Sequence, residues 1–480
     1  MTAHIGLSAQ HVVDSLGHSD GGPRPPVSAE SLSRASELLQ SNHDKWHIFF
    51  REVTGHNHMA HSILTALALG ASPSELERAY TDTEAIQRPI PVVDPMILTR
   101  LDTNPQALES LLGLSNMYST FLTYFQSQID RHGWQSVVTT YVFSETPLAE
   151  KLLIKLFEGM YHSLIHLGLG IEFGQPGIIA EALAQAAAHE DGHIDKLLLG
   201  VEAAIAAEDD TRTETTVPKS LVQLIDEVRS HPRIWADLRF GDRWNRMRDS
   251  IMDRAADELI PIAAQFRIPA SGMTMMAGEH VDLLTIRTAE MASTAAYLAG
   301  ASQSARRPRK IDFFLMHTVT ASLFFSVFNA QEWIPRAVRV RLVEWKGRLD
   351  LAFYAFCKSP ELDVCAISDY SDDFTRDMNW AALYAAVNQE HDDGHVAKFM
   401  RALRHAELLS RPYEQHPMWV EHFPVKGNMW IKLARMALET TRHSPPDLKW
   451  IMGTGFDEAW QRPDLKLAEN RGQQGQCVSS

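Results

Sequence analysis

The chain has 480 residues and a mass of 53.9 kDa, with 45% hydrophobic and 22% charged residues, the balance of a soluble globular protein with a large core. Asp and Glu number 60 against 45 Lys and Arg, and a formal charge of −15 excludes a general basic footprint for nucleic acid or anionic lipid. Three scattered cysteines, Cys357, Cys365 and Cys477, exclude a disulfide framework or a cysteine metal site, so a reducing, cytoplasmic setting is expected.

Residues 3 to 33 are polar and carry Gly21-Gly22-Pro23 and Pro25-Pro26, which predicts a flexible leader over 1–35 and no signal peptide. Beyond it helical periodicity dominates and strand alternation is nearly absent, so the expected fold is all-α. From Met59 to Gly70 the side chains Ile63, Leu64, Leu67 and Ala68 form one stripe. Gly70 closes it, and Ser72-Pro73 restarts the chain with a cap and a proline at the first helical position. Further helices are predicted over Pro105 to Gln126, Leu148 to Leu167, Ile178 to Leu199, Ser220 to Val228, Glu279 to Ala299, Ile311 to Phe328, Arg336 to Phe356, Trp380 to His405 and Asn428 to Thr440. Linkers are expected at Glu208 to Pro218 and at Gly300 to Lys310. The organisation this implies is one large helical domain over 36–465, or two pseudo-repeated helical halves around a buried site, followed by a flexible tail over 466–480. No apolar stretch reaches the roughly 18 residues of a membrane span. The terminal Cys477-Val478-Ser479-Ser480 matches a prenylation box only formally, because no basic cluster precedes it.

One pentapeptide occurs twice, as His189-Glu190-Asp191-Gly192-His193 and His391-Asp392-Asp393-Gly394-His395, each with a lysine three residues on, Lys196 and Lys398. If helical, each copy sets two imidazoles on one face beside carboxylates, a spacing that suits a metal. His56-Asn57-His58-Met59-Ala60-His61 and His162-Ser163-Leu164-Ile165-His166 add more imidazoles. Grouped nitrogen donors without thiolates point to a borderline metal held by nitrogen and oxygen, although each histidine alone also fits a capping or packed core role. Glu190-x-x-His193 and Asp392-x-x-His395 have the form found in carboxylate di-iron bundles, but the partner glutamates are not evident, and a single iron with open positions fits better.

Leu167-Gly168-Leu169-Gly170 is expected to end the helix after His166, with Glu172 just beyond. His317 opens an apolar run, where an imidazole must be neutral, bonded or metal-bound. Lys346 lies on or beside the buried stripe of its helix, where it finds a carboxylate, snorkels, or loses its proton. A neutral amine can take up carbon dioxide and become a carbamate, an oxygen ligand for a metal. Neither a Gly-x-Gly-x-x-Gly turn after a strand, a phosphate loop nor a Gly-x-Ser-x-Gly elbow is present.

Five blocks in order, Gly55 to His61 with Ala68 to Pro73, His162 to Phe173, His317-Thr318, Glu344 to Asp350, and Asp392 to Lys398, resemble the questin oxidase-like family over about His43 to Leu403. The resemblance implies Baeyer–Villiger-like oxidative ring opening of an anthraquinone-type polyketide, a small aromatic partner. It implies His58, His162, His166, His317, Lys346 and His395 as motif positions, and leaves His193 outside the shared pattern. Residue chemistry and resemblance together predict a ferrous, non-haem centre held by His58, His166, His317, His395 and Lys346, with dioxygen as co-substrate. His162, Asp393 and Glu172 are then the expected catalytic or orienting groups. Phe324, Phe325, Phe328, Trp345 and Tyr161 suit a flat polycyclic pocket or simply the core. The alternatives are an NADPH-dependent oxygenase without metal and a non-catalytic helical binding protein.

Overall fold

Helices begin where the sequence supplies a cap. Ser28 accepts from the Ser31 amide ahead of Ala29–Lys45, and Asp94 and Thr146 do the same ahead of Pro95–Thr103 and Pro147–Glu172, each of these two with proline in the first turn. Ser72 and Glu75 form a reciprocal capping box at Pro73–Glu84. The computed structural model describes residues 2–8, 27–52, 55–208, 219–242, 247–269, 272–276, 279–304, 306–442 and 444–465. Among them the fold is all-α apart from an antiparallel hairpin, Met273–Met276 with Glu279–Asp282, in which Met273 pairs with Asp282.

The chain divides into two compact units, each built from three stretches: Met1–Gly192, Thr320–Leu342 and Asn379–Leu408 in the first, His193–Val319, Val343–Met378 and Leu409–Ser480 in the second. In the first unit Pro147–Glu172 packs along Pro176–Ala188, which in turn packs on Tyr118–His132, while Ala29–Lys45 packs on Met59–Ala68 and Pro73–Glu84. Gly168 and Gly170 do not end the helix after His166. A Cβ at Gly168 would overlap the Phe324 ring and one at Gly170 would lie 2.7 Å from Ile179, so these glycines let neighbouring elements close in on a helix that continues to Glu172. In the second unit Leu283–Ala301 packs on Leu221–Arg229, and Asp195–Glu208 on Ala256–Ala263. The buried Asp312 carboxylate there receives the amides of Phe314, Gly453 and Thr454.

Three predicted helices are each split into separate elements. The stretch from Ile178 to Leu199 is Pro176–Ala188 and Asp195–Glu208 with the first pentapeptide between them. Trp380 to His405 is Trp380–Val387 and His395–Ser410 with the second copy between. The pentapeptides are therefore not helical, because Gly394 at φ 93° and His193 at φ 58° turn the chain out of the right-handed region. The segment Pro105 to Gln126 is likewise a 3₁₀ turn, Pro105–Leu111, and a helix, Tyr118–His132.

Of the leader expected over 1–35, residues 9–26 lie outside the described residues, 29–35 belong to the helix capped by Ser28, and 2–8 are fastened: the Thr2 amide bonds Asp130 and the Ile5 amide bonds Gln40. Of the expected linkers, 209–218 lies outside the described residues, as does the tail from 466. The other is partly helix through Ala301 and ends at Lys310, whose buried ammonium donates to the Thr440 carbonyl. No helix among the described residues is long and apolar enough to cross a membrane.

Candidate metal centre

A break in the helix Pro147–Glu172 shapes the site. Glu158 is extended at ψ 163°, and Gly159, Met160 and Tyr161 follow with φ of 56°, 60° and 66°. Two non-glycine residues held in the left-handed region cost about 1–2 kcal/mol each, strain that persists only where the surroundings impose it. The turn frees the Gly159 carbonyl, which accepts from His162 Nδ1 at 2.5 Å. Gly159 also admits two rings: a Cβ there would overlap His189 Nε2 and lie 2.7 Å from His56 Nε2. Gly159→Ala is therefore expected to lower stability by several kcal/mol and to cut activity at least tenfold, by moving the His162 acceptor. Thermal denaturation and turnover check this, and a variant with unchanged melting would show that the turn can relax.

Above this break His58 stands at the N-cap of Met59–Ala68 without making a cap hydrogen bond. Its side chain turns inward, with Nε2 2.7 Å from His162 Nε2 and Nδ1 3.2 Å from Asp393 Oδ2. His395 begins the helix His395–Ser410, whose Val396 amide is received by Asp392, and its Nδ1 lies 2.5 Å from Asp393 Oδ1. At Gly394 a Cβ would meet Ser62 at 2.8 Å, so only glycine brings this turn against the His58 helix. One nitrogen each from His58, His162 and His395 lies within 4.8 Å of the others, and all three residues are buried.

The hydrogen-bond roles follow from what the partners can do. Asp393 and the Gly159 carbonyl only accept, so the Nδ1 atoms of His58, His395 and His162 carry the protons and the Nε2 atoms are lone pairs. Two imidazole lone pairs facing each other at 2.7 Å repel unless a cation lies between or beside them. Burial, then the charge of Lys398 and the neighbouring His395 ring, push His58 down to about 3, so its ring is neutral at physiological pH. Burial would raise the Asp393 carboxyl, but His395 and His58 outweigh it and hold the acid ionised. This is the outer support that metal-binding histidines need.

Lys398 lies three residues past His395, one turn along the same helix. Its side chain is 5% exposed, and its Nζ has no hydrogen-bond partner among the described residues. Burial lowers it to about 8 against the pull of Asp393 and Asp392. Further imidazoles surround the three: His56 stacks on His162 with centroids 3.8 Å apart and bonds His189 at 3.1 Å, and His61 lies 5.8 Å from His58.

Of the predicted site residues in the first unit, His166 and Glu172 stand apart from this group. His166 is a step removed, its Nε2 bonded to Glu181 and its Nδ1 to His61. Glu172 orients no imidazole, since it forms a buried, two-pronged ion pair with Arg401. His317 and Lys346 belong to the second unit. His317 Nδ1 is 2.6 Å from the Phe313 carbonyl, and the Lys346 ammonium is ion-paired with Asp350 one turn on. His193 is 39% exposed and bonds Asp253, while His391 is 74% exposed and bonds Asp82. The pentapeptides thus contribute opposite ends, His189 from one and His395 from the other. Of the aromatic candidates, Phe324, Phe325, Phe328 and Tyr161 are buried in the first unit's core, and Trp345 bonds Glu202 in the second. Sequence reasoning missed Lys398 as a site residue, although its place one helical turn after His395 was a usable signal. It missed Glu181, the partner of His166, outright, since an alanine-rich helix gave it no obvious partner.

The model of the questin oxidase-like family matches residues 55–403, a span that holds every histidine of the cluster together with Asp393 and Lys398. The chain belongs to the questin oxidase-like family. It is 95% identical over 478 residues, 100% of both chains, to Baeyer-Villiger monooxygenase AacuH of Aspergillus aculeatus. It is 48% identical over 439 residues, 92% of this chain and 95% of the relative, to Baeyer-Villiger monooxygenase dmxR6 of a Cryptosporiopsis species. It is 44% identical over 432 residues, 90% of this chain and 93% of the relative, to Questin oxidase of Aspergillus fumigatus. Family and relatives make it an oxidoreductase of the oxidase or monooxygenase kind.

Proposed function

We propose that this enzyme carries out Baeyer–Villiger-type oxygen insertion beside a carbonyl of an anthraquinone-type substrate, opening the ring, at a mononuclear iron(II) site. The reading takes its reaction and substrate class from relatives named Baeyer-Villiger monooxygenase and Questin oxidase. What supports the metal is the convergence of one nitrogen each from three buried histidines, all with Nδ1 committed to acceptors. The donor set fits the ion: neutral imidazoles suit ferrous iron, and Lys398, one turn past His395, has an amine with no hydrogen-bond partner among the described residues. His58, His162 and His395 would hold it, with Lys398 as a carbamate. That group arises when neutral Nζ adds to carbon dioxide, forming an N–C bond and releasing a proton. Ferrous iron, when bound, supplies one-electron chemistry toward dioxygen. Asp393 holds two of the imidazoles in one tautomer and balances positive charge, and the buried rings keep bulk water from the reacting atoms.

Insertion of one oxygen atom with release of the other as water consumes two electrons and two protons, which a diffusible donor such as NADPH would supply. The test is metal analysis of protein purified without chelators, followed by oxygen uptake with questin in the presence and absence of iron and of NADPH. About one iron per chain and turnover that needs it are expected. Turnover by demonstrably metal-free protein would overturn the iron site, and iron binding with no oxidation of questin or related anthraquinones would overturn the substrate class.

A further inference from the structure

Glu181, on Pro176–Ala188, is 1% exposed and lies between two imidazoles, with His43 Nδ1 at 2.6 Å from one oxygen and His166 Nε2 at 2.7 Å from the other. Burial would raise its pKa, but the hydrogen bonds of His166 and His43 hold it at about 2, so the carboxylate is ionised and only accepts. Both histidines therefore donate to it. His166 then has a lone pair on Nδ1, and the group facing that atom at 3.1 Å is His61 Nε2, which must carry the proton. His61 is left with its lone pair on Nδ1, a buried atom that has no hydrogen-bond partner among the described residues. The His61 ring is 5.8 Å from His58 and 6.1 Å from His162, centroid to centroid. At the far end the Gln126 amide faces His43 Nε2 at 2.7 Å and donates to it, which closes the chain with every proton assigned.

We propose that Glu181 is a positioning residue: acting through His166, it fixes His61 in the Nε2–H tautomer and so keeps a basic Nδ1 available as an additional donor to the His58, His162 and His395 centre. The tautomer half of this stands by itself; the donor half rests on the metal reading above. An orphaned buried acceptor costs about 1–3 kcal/mol, so a group that satisfies His61 Nδ1 recovers that energy. Unlike a carboxylate, a carboxamide at position 181 donates as well as accepts. With its NH₂ towards His166, Glu181→Gln reverses the protons on His166 and His61 and puts one on His61 Nδ1, while His43 still donates to the carboxamide oxygen.

The experiment is two-bond ¹⁵N–¹H correlation NMR on histidine-labelled, metal-free protein, with cobalt(II) titration as the second readout. Wild type is expected to show His61 as Nε2–H, identified by loss of its signals in His61→Ala. Glu181→Gln is expected to lose that pattern and to bind cobalt(II) about 10–100-fold more weakly, the usual cost of removing a group that orients a metal-binding histidine. In the His61→Ala background the same substitution should weaken cobalt(II) less than twofold. A wild-type His61 protonated on Nδ1 overturns the relay, and this measurement needs no variant at position 181 to fold. Unchanged cobalt(II) affinity in a folded Glu181→Gln with an altered His61 tautomer overturns the donor role. Wild type that binds no cobalt(II) or iron(II) overturns the metal reading and the donor role with it, while the tautomer assigned by NMR stands.

Discussion

His395→Ala is expected to emerge folded, without iron, and with turnover at least about 10³-fold down, whereas His391→Ala in the same pentapeptide keeps both. The two histidines are four residues apart and chemically identical, so composition cannot separate them. Geometry does: His395 supplies one of three converging nitrogens and is 2% exposed, and His391 is 74% exposed and bonded to Asp82 at the surface. Losing His395 removes a ligand and also takes from Asp393 one of the two imidazoles that hold it ionised. Two of the three converging imidazoles, His58 and His162, remain, and the donor that is lost is one that Asp393 orients, so iron retention is expected to collapse. A surface imidazole bonded to a carboxylate contributes about 0–1 kcal/mol and nothing to the centre. Iron content by elemental analysis and questin turnover read both variants. Equal losses in the two would mean that the pentapeptide acts by folding the turn, and an iron-replete His395→Ala would remove this residue from the ligand set.

The helices were legible because their start signals are local. Ser72-Pro73-Ser74-Glu75 carries its cap, its first-turn proline and its capping-box acid within four residues, and the structure has all three. The second pentapeptide was legible as chemistry but not as geometry. Its i, i+4 histidines suggest one helical face, yet Gly394 places the first outside and the second inside. The break at Gly159 was invisible for a related reason. Nothing in Leu156-Phe157-Glu158-Gly159-Met160-Tyr161 demands a left-handed turn; it exists because His56 and His189, distant in sequence, occupy the space a Cβ would fill. Glu181 was hidden for the same cause, since its partners lie 138 residues before it and 15 before it, and no spacing rule connects them. The lysines show how one chemical argument can fit two residues until their surroundings are known. Lys346 satisfied the periodicity criterion for a buried amine, but its own helix supplies Asp350 as counter-ion. Lys398 sits amid imidazoles and has no bonded partner among the described residues.

Lys398 is where the largest contrast between stability and activity is expected. A buried amine without a hydrogen bond is a liability to the apo-protein, partly offset by the charges of Asp393 and Asp392. Lys398→Met preserves length and removes the polar head, so the metal-free variant should be as stable as wild type or up to about 2 kcal/mol more stable. If Lys398 is the carbamate ligand proposed above, the variant's turnover should nonetheless fall by at least about 10²-fold and its iron retention with it. Lys398→Arg discriminates between roles. It keeps a cation near Asp393 but cannot form a carbamate, so it should be as inactive as Lys398→Met; full activity in Lys398→Arg would assign the residue a purely electrostatic task. Lys398→Ala leaves room for a small carboxylate, and partial rescue by added acetate or propionate would supply the missing oxygen from solution. Denaturant midpoints, iron content and questin turnover on the same preparations separate these cases. A Lys398→Met protein that loses stability and activity in parallel would point to packing alone, since an ordinary core lysine has no reason to trade one for the other.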